Sequence, residues 1–268
     1  MRWNHSGLCG TVVIDLIRNQ LETERLGAVL TVVAGEHLGA KSVVDFETGF
    51  LGGSLAVSED MLGDALSLME REQNRTLDYG ASEVFIETLA PRPHLLIFGA
   101  VHIAQELTKI ASLLGFRVVV SDARAAFTTV ERFPDAAEIF VGWPDELADR
   151  IVIDRRTYVV LLSHDARFED PVLPMVLNSS AKYIGAMGSR RTHSKRLERL
   201  AKAGFTHEQT TRVHGPVGLD IGAETPAETA VAILGEMIQV RYGSGSGLSL
   251  VGRDGRIHLQ RTEDAGDA

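Results

Sequence analysis

Glycine, aspartate, arginine and histidine recur in this sequence where apolar runs end, the points at which α/β proteins place their chemistry. The first is Leu95-Leu96-Ile97-Phe98-Gly99-Ala100-Val101-His102-Ile103-Ala104. A strand that ends in glycine and opens at once into a helix has the layout of a phosphate-binding turn. Gly99 allows the tight turn, Ala104 keeps the helix close to the sheet, and Asp122 ends the next apolar run, where it could hold a ribose hydroxyl. Val101, however, stands where a second glycine would let a pyrophosphate approach the backbone. NAD(P) is therefore disfavoured, and a turn without any ligand stays open as a reading.

Four further stretches have comparable potential. Arg124, two residues after Asp122, could clamp a phosphate or carboxylate, or could pair with Asp122 and fix the loop. His164 and Asp165 follow Ser163 at the end of another apolar run, where they could act as acid, base or polar clamp, or anchor the loop. Ser163 lacks the flanking glycines of a nucleophile elbow, so no covalent catalysis is expected. Gly185 and Gly188 lead into Ser189, Arg190 and Arg191. Free helix N–H groups, the helix dipole and the two guanidinium groups all favour an anion there. His214 precedes a loop shaped by Gly215, Pro216, Gly218, Asp220 and Gly222, which could close over a site or simply be a packed connection. His102, His164, His193 and His214 lack zinc-site spacing and Cys9 is the single cysteine, so no metal site is expected.

Composition bounds these readings. The 268 residues carry a formal charge of -9, with 44% hydrophobic and 24% charged residues, an ordinary globular balance. A nucleic-acid surface needs clustered cations, so none is expected. One cysteine and no long apolar run point to a reducing compartment, no membrane span and a cytoplasmic protein.

The elements that must position these residues follow from periodicity and turn chemistry. Residues 1–90 read as a small α+β domain, with a strand over 27–34, a hairpin across Glu47-Thr48-Gly49, and a helix from 58 to 72 capped by Ser58. Ala90-Pro91-Arg92-Pro93 reads as a linker. Residues 91–242 alternate strands (94–98, 116–121, 137–141, 158–162, 181–185) with helices (103–114, 171–177, 189–203, 226–240). That alternation implies a Rossmann-like α/β domain, a mostly parallel sheet with helices on both faces. Thr225, Pro226 and Glu228 read as a capping box with proline at the first helical position. Residues 243–268 read as a Gly/Ser-rich tail with a short hairpin across Arg253-Asp254-Gly255 and a disordered end.

In order along the chain, Leu95–Ala104, Val120-Ser-Asp-Ala-Arg124, Glu131-Arg-Phe-Pro134, Leu162-Ser-His-Asp165, Tyr183–Arg190 and Gly215–Gly222 resemble the XdhC/CoxI family, accessory proteins of molybdenum hydroxylases. The resemblance covers about residues 27–245. It implies a carrier rather than a catalyst, which binds molybdenum cofactor (molybdopterin) transiently, assists its sulfuration and delivers it to an apo molybdenum hydroxylase such as xanthine dehydrogenase. A cysteine desulfurase and a second copy of the chain are further candidate partners. From the motifs and this resemblance together, cofactor binding is expected at Gly99, Ala100, His102, Asp122, Arg124, His164, Asp165, Gly185, Gly188, Ser189, Arg190, Gly215, Gly218 and Asp220. Two departures stand out. Relatives usually read Gly-Ala-Gly-His where Val101 falls here, and many carry Gly-Gly-Cys where this chain has Gly52-Gly53-Ser54. The competing functions are an NAD(P)-dependent oxidoreductase and a docking subunit with a vestigial pocket.

Overall fold

The computed structural model describes residues 11–148, 150–163, 166–243 and 245–252. Cys9, His164, Asp165, the expected hairpin across 253–255 and the expected disordered end lie outside those residues. The chain divides into two compact units, with the break between Arg92 and Pro93.

The first unit opens with helix α1 (Thr11–Glu22). An antiparallel sheet follows from β1 (Gly27–Gly35), β2 (Lys41–Asp45), β3 (Gly49–Gly53), β4 (Arg75–Asp78) and β5 (Ser82–Leu89), in the order β3-β2-β1-β5-β4. Helix α2 (Glu59–Glu70) is N-capped by the Ser58 hydroxyl, which accepts from the Met61 N–H. Its Met61, Ala65, Leu68 and Met69 pack on Leu30 and Val32 of β1 and Val84 and Ile86 of β5. The β2–β3 turn is held by buried Asp45, which accepts from the Glu47 and Thr48 N–H groups and the Arg25 guanidinium. Ser54, which follows β3, is bonded to the Lys41 backbone. Periodicity and turn chemistry find β1, the hairpin and α2, but not α1, β4 and β5.

In the second unit β6 (His94–Phe98), α3 (His102–Leu113), β7 (Arg117–Asp122), β8 (Glu138–Val141) and α4 (Pro144–Ala148) come first. Then follow β9 (Thr157–Leu161), α5 (Ala166–Leu177), β10 (Tyr183–Ala186), α6 (Arg190–Lys202), α7 (His207–Thr210), β11 (Val213–His214) and α8 (Pro226–Tyr242). The six strands are all parallel, in the order β11-β10-β9-β6-β7-β8. Counted from β6 this is 6-5-4-1-2-3, the doubly wound Rossmann order. Alternate strand residues feed two cores. Leu95, Ile97, Val118, Val120 and Val160 pack against Ala104, Leu107 and Ala111 of α3 and Ala230, Ile233 and Met237 of α8. Leu96, Phe98, Val159 and Leu161 pack against Leu147, Val172, Leu173, Val176 and Leu200 on the other face.

The short helices α4 and α7 are not among the expected elements, and α5 and β11 also differ from expectation. Helix α5 begins five residues before Pro171 and carries both Pro171 and Pro174. The buried apolar residues that follow Pro171, and the ion pair of Glu169 before it, hold the helix through both prolines. The segment before Gly215, where no strand is expected, contains the short strand β11, whose Val213 and His214 pair with Ile184 and Gly185. At α8 the capping box is complete: the Thr225 hydroxyl accepts from the Glu228 N–H and the Glu228 carboxylate accepts from the Thr225 N–H. Thr225→Ala is expected to cost about 1 kcal/mol. That loss should appear as a lower denaturant midpoint with an unchanged slope.

Candidate functional site

The chain leaves β6 toward β7 on one side, while β9, its neighbour on the other side, leads to β10. This is the topological switch point of the sheet, where open α/β folds leave a crevice beyond the strand ends. A cleft of about 350 Å³ lies there, within the range of roughly 300–1,000 Å³ typical of ligand pockets. Gly99 and Val101 line it from the end of β6, Asp122 and Arg124 from β7, Leu162 and Ser163 from β9, and Arg167 and Phe168 from α5.

Gly99 is required twice over. Its φ is +116°, and a Cβ there would come within 3.2 Å of the Ser163 nitrogen. Its N–H donates to the Ser121 carbonyl. The next N–H, from Ala100, donates to Asp122 Oδ2 at 2.8 Å. Asp122 is buried, and its carboxylate also accepts from the Arg124 N–H, Nε and Nη2. Burial alone would raise this carboxyl, but the Arg124 and Ala100 hydrogen bonds outweigh it and hold it below the usual carboxylate range. The pair also raises the Arg124 guanidinium. Of the two roles left open for Asp122 and Arg124, this geometry is that of a loop-fixing pair. Arg124 remains half exposed, lines the cleft, and lies 4.6 Å over the Phe127 ring. Val101 is the N-cap of α3 and contributes no side-chain acceptor to the helix's first N–H groups. Donors left in that way at the rim of a cleft favour an anion.

The other expected site residues are distributed along the same carboxyl edge. Ala100 is buried in the core beside α3, and His102 is exposed at the start of that helix. Gly188, with φ of +137°, and Ser189 lie past the end of β10, and neither lines the cleft. The Ser189 hydroxyl caps α6 by accepting from the Thr192 N–H. Arg190 is exposed, also outside the cleft lining, and makes no ion pair among the described residues. Gly185 is a packing glycine: a Cβ would come within 2.5 Å of Val217 and 2.8 Å of the Tyr183 ring. Gly215 has the same role against the His193 ring. Gly218 donates its N–H to Glu236, and Asp220 is exposed in the loop that follows.

Three features are not evident from the sequence. Arg167 and Phe168 complete the cleft, and an expected helix start at Pro171 leaves them out. Trp143 stacks on Phe168, with ring centroids 4.8 Å apart. Glu236 of α8 accepts from the Tyr183 hydroxyl and the Gly218 N–H and lies 3.2 Å from His214 Nδ1. Burial would raise Glu236, yet the His214, Tyr183 and Gly218 hydrogen bonds hold it low, while burial and the Glu236 carboxylate push the Tyr183 phenol up. Glu169 of α5 pairs with fully buried Arg196 of α6, whose Nη2 also donates to the Met187 carbonyl. The available signal is an acid or arginine on an otherwise apolar helix stripe: Glu236 between Ile233 and Met237, and Arg196 one turn before Leu200.

A sequence profile described as the XdhC Rossmann domain matches residues 95–237, more than half of the chain. A probable xanthine dehydrogenase subunit of Bacillus subtilis (strain 168) is 30% identical over 160 residues, covering 60% of this chain and 46% of that protein. The molybdenum cofactor insertion chaperone PaoD of Escherichia coli (strain K12) is 40% identical over 89 residues, 33% of this chain and 28% of PaoD. The chain thus spans less than half the length of these curated relatives. A crystal structure described as a xanthine dehydrogenase from Bacillus halodurans matches with a TM-score of 0.52 and 19% identity, covering 88% of this chain and 98% of that one, a likeness of fold. Among the described residues no helix is long and apolar enough to cross a membrane.

Proposed function

The chain belongs to the XdhC family, and on that premise we propose that it is an accessory carrier of molybdenum cofactor for a molybdenum hydroxylase such as xanthine dehydrogenase. The observation that carries this reading is the cleft at the switch point, lined by Arg124 and Arg167 beside the uncapped start of α3. Molybdopterin is an anionic, phosphate-bearing cargo, and a crevice with two guanidinium groups and helix N–H donors suits it. Arg190 and Arg191 stand farther along the same edge, where a longer, nucleotide-bearing form of the cargo would meet them. Sulfuration, with a cysteine desulfurase as donor, and association with a second copy belong to the same proposal. Ser54 supplies no thiol where many relatives have one, so sulfur would reach the cargo from the partner. A cytoplasmic location belongs to the same proposal.

The test is transfer. Full-length protein loaded with molybdopterin should activate an apo molybdenum hydroxylase faster than the same amount of free cofactor. No acceleration, with the cargo retained or never bound, would contradict the carrier role.

The competing oxidoreductase reading is weakened by two observations. The Asp122 carboxylate is taken up by Arg124 and Ala100, and Val101 lines the cleft at the pyrophosphate position. NADH is accordingly expected to give no saturable micromolar binding by titration calorimetry. Val101→Gly should strengthen whatever nucleotide binding exists, provided the turn at Gly99 is kept.

A further inference from the structure

One aromatic residue of the cleft, Phe168, and the tryptophan stacked on it have no role in the anion site. Phe168 lines the cleft from the first turn of α5. Trp143, in the turn after β8, stacks on it with ring planes 16° apart, and remains 43% exposed. In the sheet, β6 and β7 lie between β9 and β8. A residue following β9 and one following β8 therefore meet across the ends of the two strands that carry Gly99 and Asp122. Core packing would bury an indole; this one stays part exposed beside Phe168, outside the lining of a cleft that also holds two arginines.

We propose that Trp143 and Phe168 form the recognition surface for the planar ring of the ligand, a nitrogen heterocycle that carries a phosphate, with the ring against the aromatic pair and the phosphate toward Arg124 and the start of α3. The assignment rests on the carrier reading only for the identity of the heterocycle. Rings of this class stack on aromatic faces whatever their edge pattern, so a pterin phosphate and a purine nucleotide share the required chemistry. The pterin is the source that the carrier reading selects.

The experiment uses full-length Trp3→Phe protein, in which Trp143 is the single tryptophan. Its emission is followed during titration with 6-hydroxymethylpterin phosphate, AMP and inorganic phosphate, with affinities measured in parallel by calorimetry. Saturable quenching by the pterin phosphate and not by inorganic phosphate is expected. Trp143→Ala should weaken binding about tenfold, and Trp143→Phe should largely restore it, at an unchanged thermal midpoint. Quenching by AMP alone would uphold the aromatic surface and contradict the pterin carrier. Pterin phosphate binding with unmoved Trp143 emission and wild-type affinity in Trp143→Ala would overturn the aromatic surface and leave the carrier standing. Binding of neither heterocycle would overturn both.

Discussion

Glu169→Ala is expected to cost about 3–5 kcal/mol of stability, the usual penalty for removing one partner of a buried ion pair. The Arg196 side chain is 0% exposed and that of Glu169 is 3% exposed. Two hydrogen bonds join them, from Arg196 Nε at 3.0 Å and Nη2 at 2.6 Å, and Arg199 donates to the same carboxylate at 3.0 Å. Deleting the carboxylate strands a guanidinium in the core with, among the described residues, the Met187 carbonyl and the His193 ring as its remaining partners. Replacing both charges with apolar residues, Glu169→Leu with Arg196→Met, should recover much of the loss, because it removes the uncompensated charge as well. Chemical denaturation at neutral pH checks this. A loss below about 1 kcal/mol for Glu169→Ala would place the pair in the weak class typical of surface ion pairs.

Asp122→Ala is expected to damage both stability and binding. The carboxylate holds the Ala100 N–H in the glycine turn and aligns Arg124 beside the cleft. Hydrogen bonds to a charged group contribute about 1.5–3 kcal/mol, and the Ala100 N–H would be left buried without its acceptor. A loss of about 2–3 kcal/mol, with cargo affinity down at least tenfold, is the expected result. The acid limb gives an independent check. The Asp122 pKa is lowered in the folded state, so its contribution is fully present above the unfolded carboxylate value of about 3.9 and disappears as pH falls through the lower folded value. Wild type and Asp122→Ala should therefore differ most at neutral pH and converge in strong acid. A gap that stayed constant through that range would show that the carboxylate's charge is not what holds the turn.

The fold of the second unit is legible in the sequence because its strands are short, nearly continuous Val/Ile/Leu runs that lead into Gly99, Asp122 and Gly188. Such buried parallel strands are hard to mistake once helices alternate with them. The antiparallel strands of the first unit are harder. β5 buries Val84 and Ile86 on one side, but Phe85 stands at the outward position between them and breaks the polar–apolar alternation that Glu83 and Glu87 keep. Helix α5 reads too short because a proline normally marks a first turn, and here tertiary burial overrides that local rule. The same error hides Arg167 and Phe168 from the site. Asp122 and Arg124 stand out as candidates, but their mutual pairing is a matter of side-chain direction that spacing cannot supply. Gly185 and Gly215 read as ligand glycines from their neighbours in sequence, whereas the contacts that require them, with Val217 and His193, come from distant segments.

We propose that the switch-point cleft holds molybdopterin. Equilibrium dialysis of full-length protein against molybdopterin freshly released from a molybdenum hydroxylase tests it most directly, with Asp122→Ala and NADH as controls. The predicted result is saturable, one-to-one retention of the pterin by wild type, at least tenfold weaker retention by Asp122→Ala, and no micromolar retention of NADH. No retention of the pterin by wild-type protein, or retention unchanged by Asp122→Ala, would contradict it.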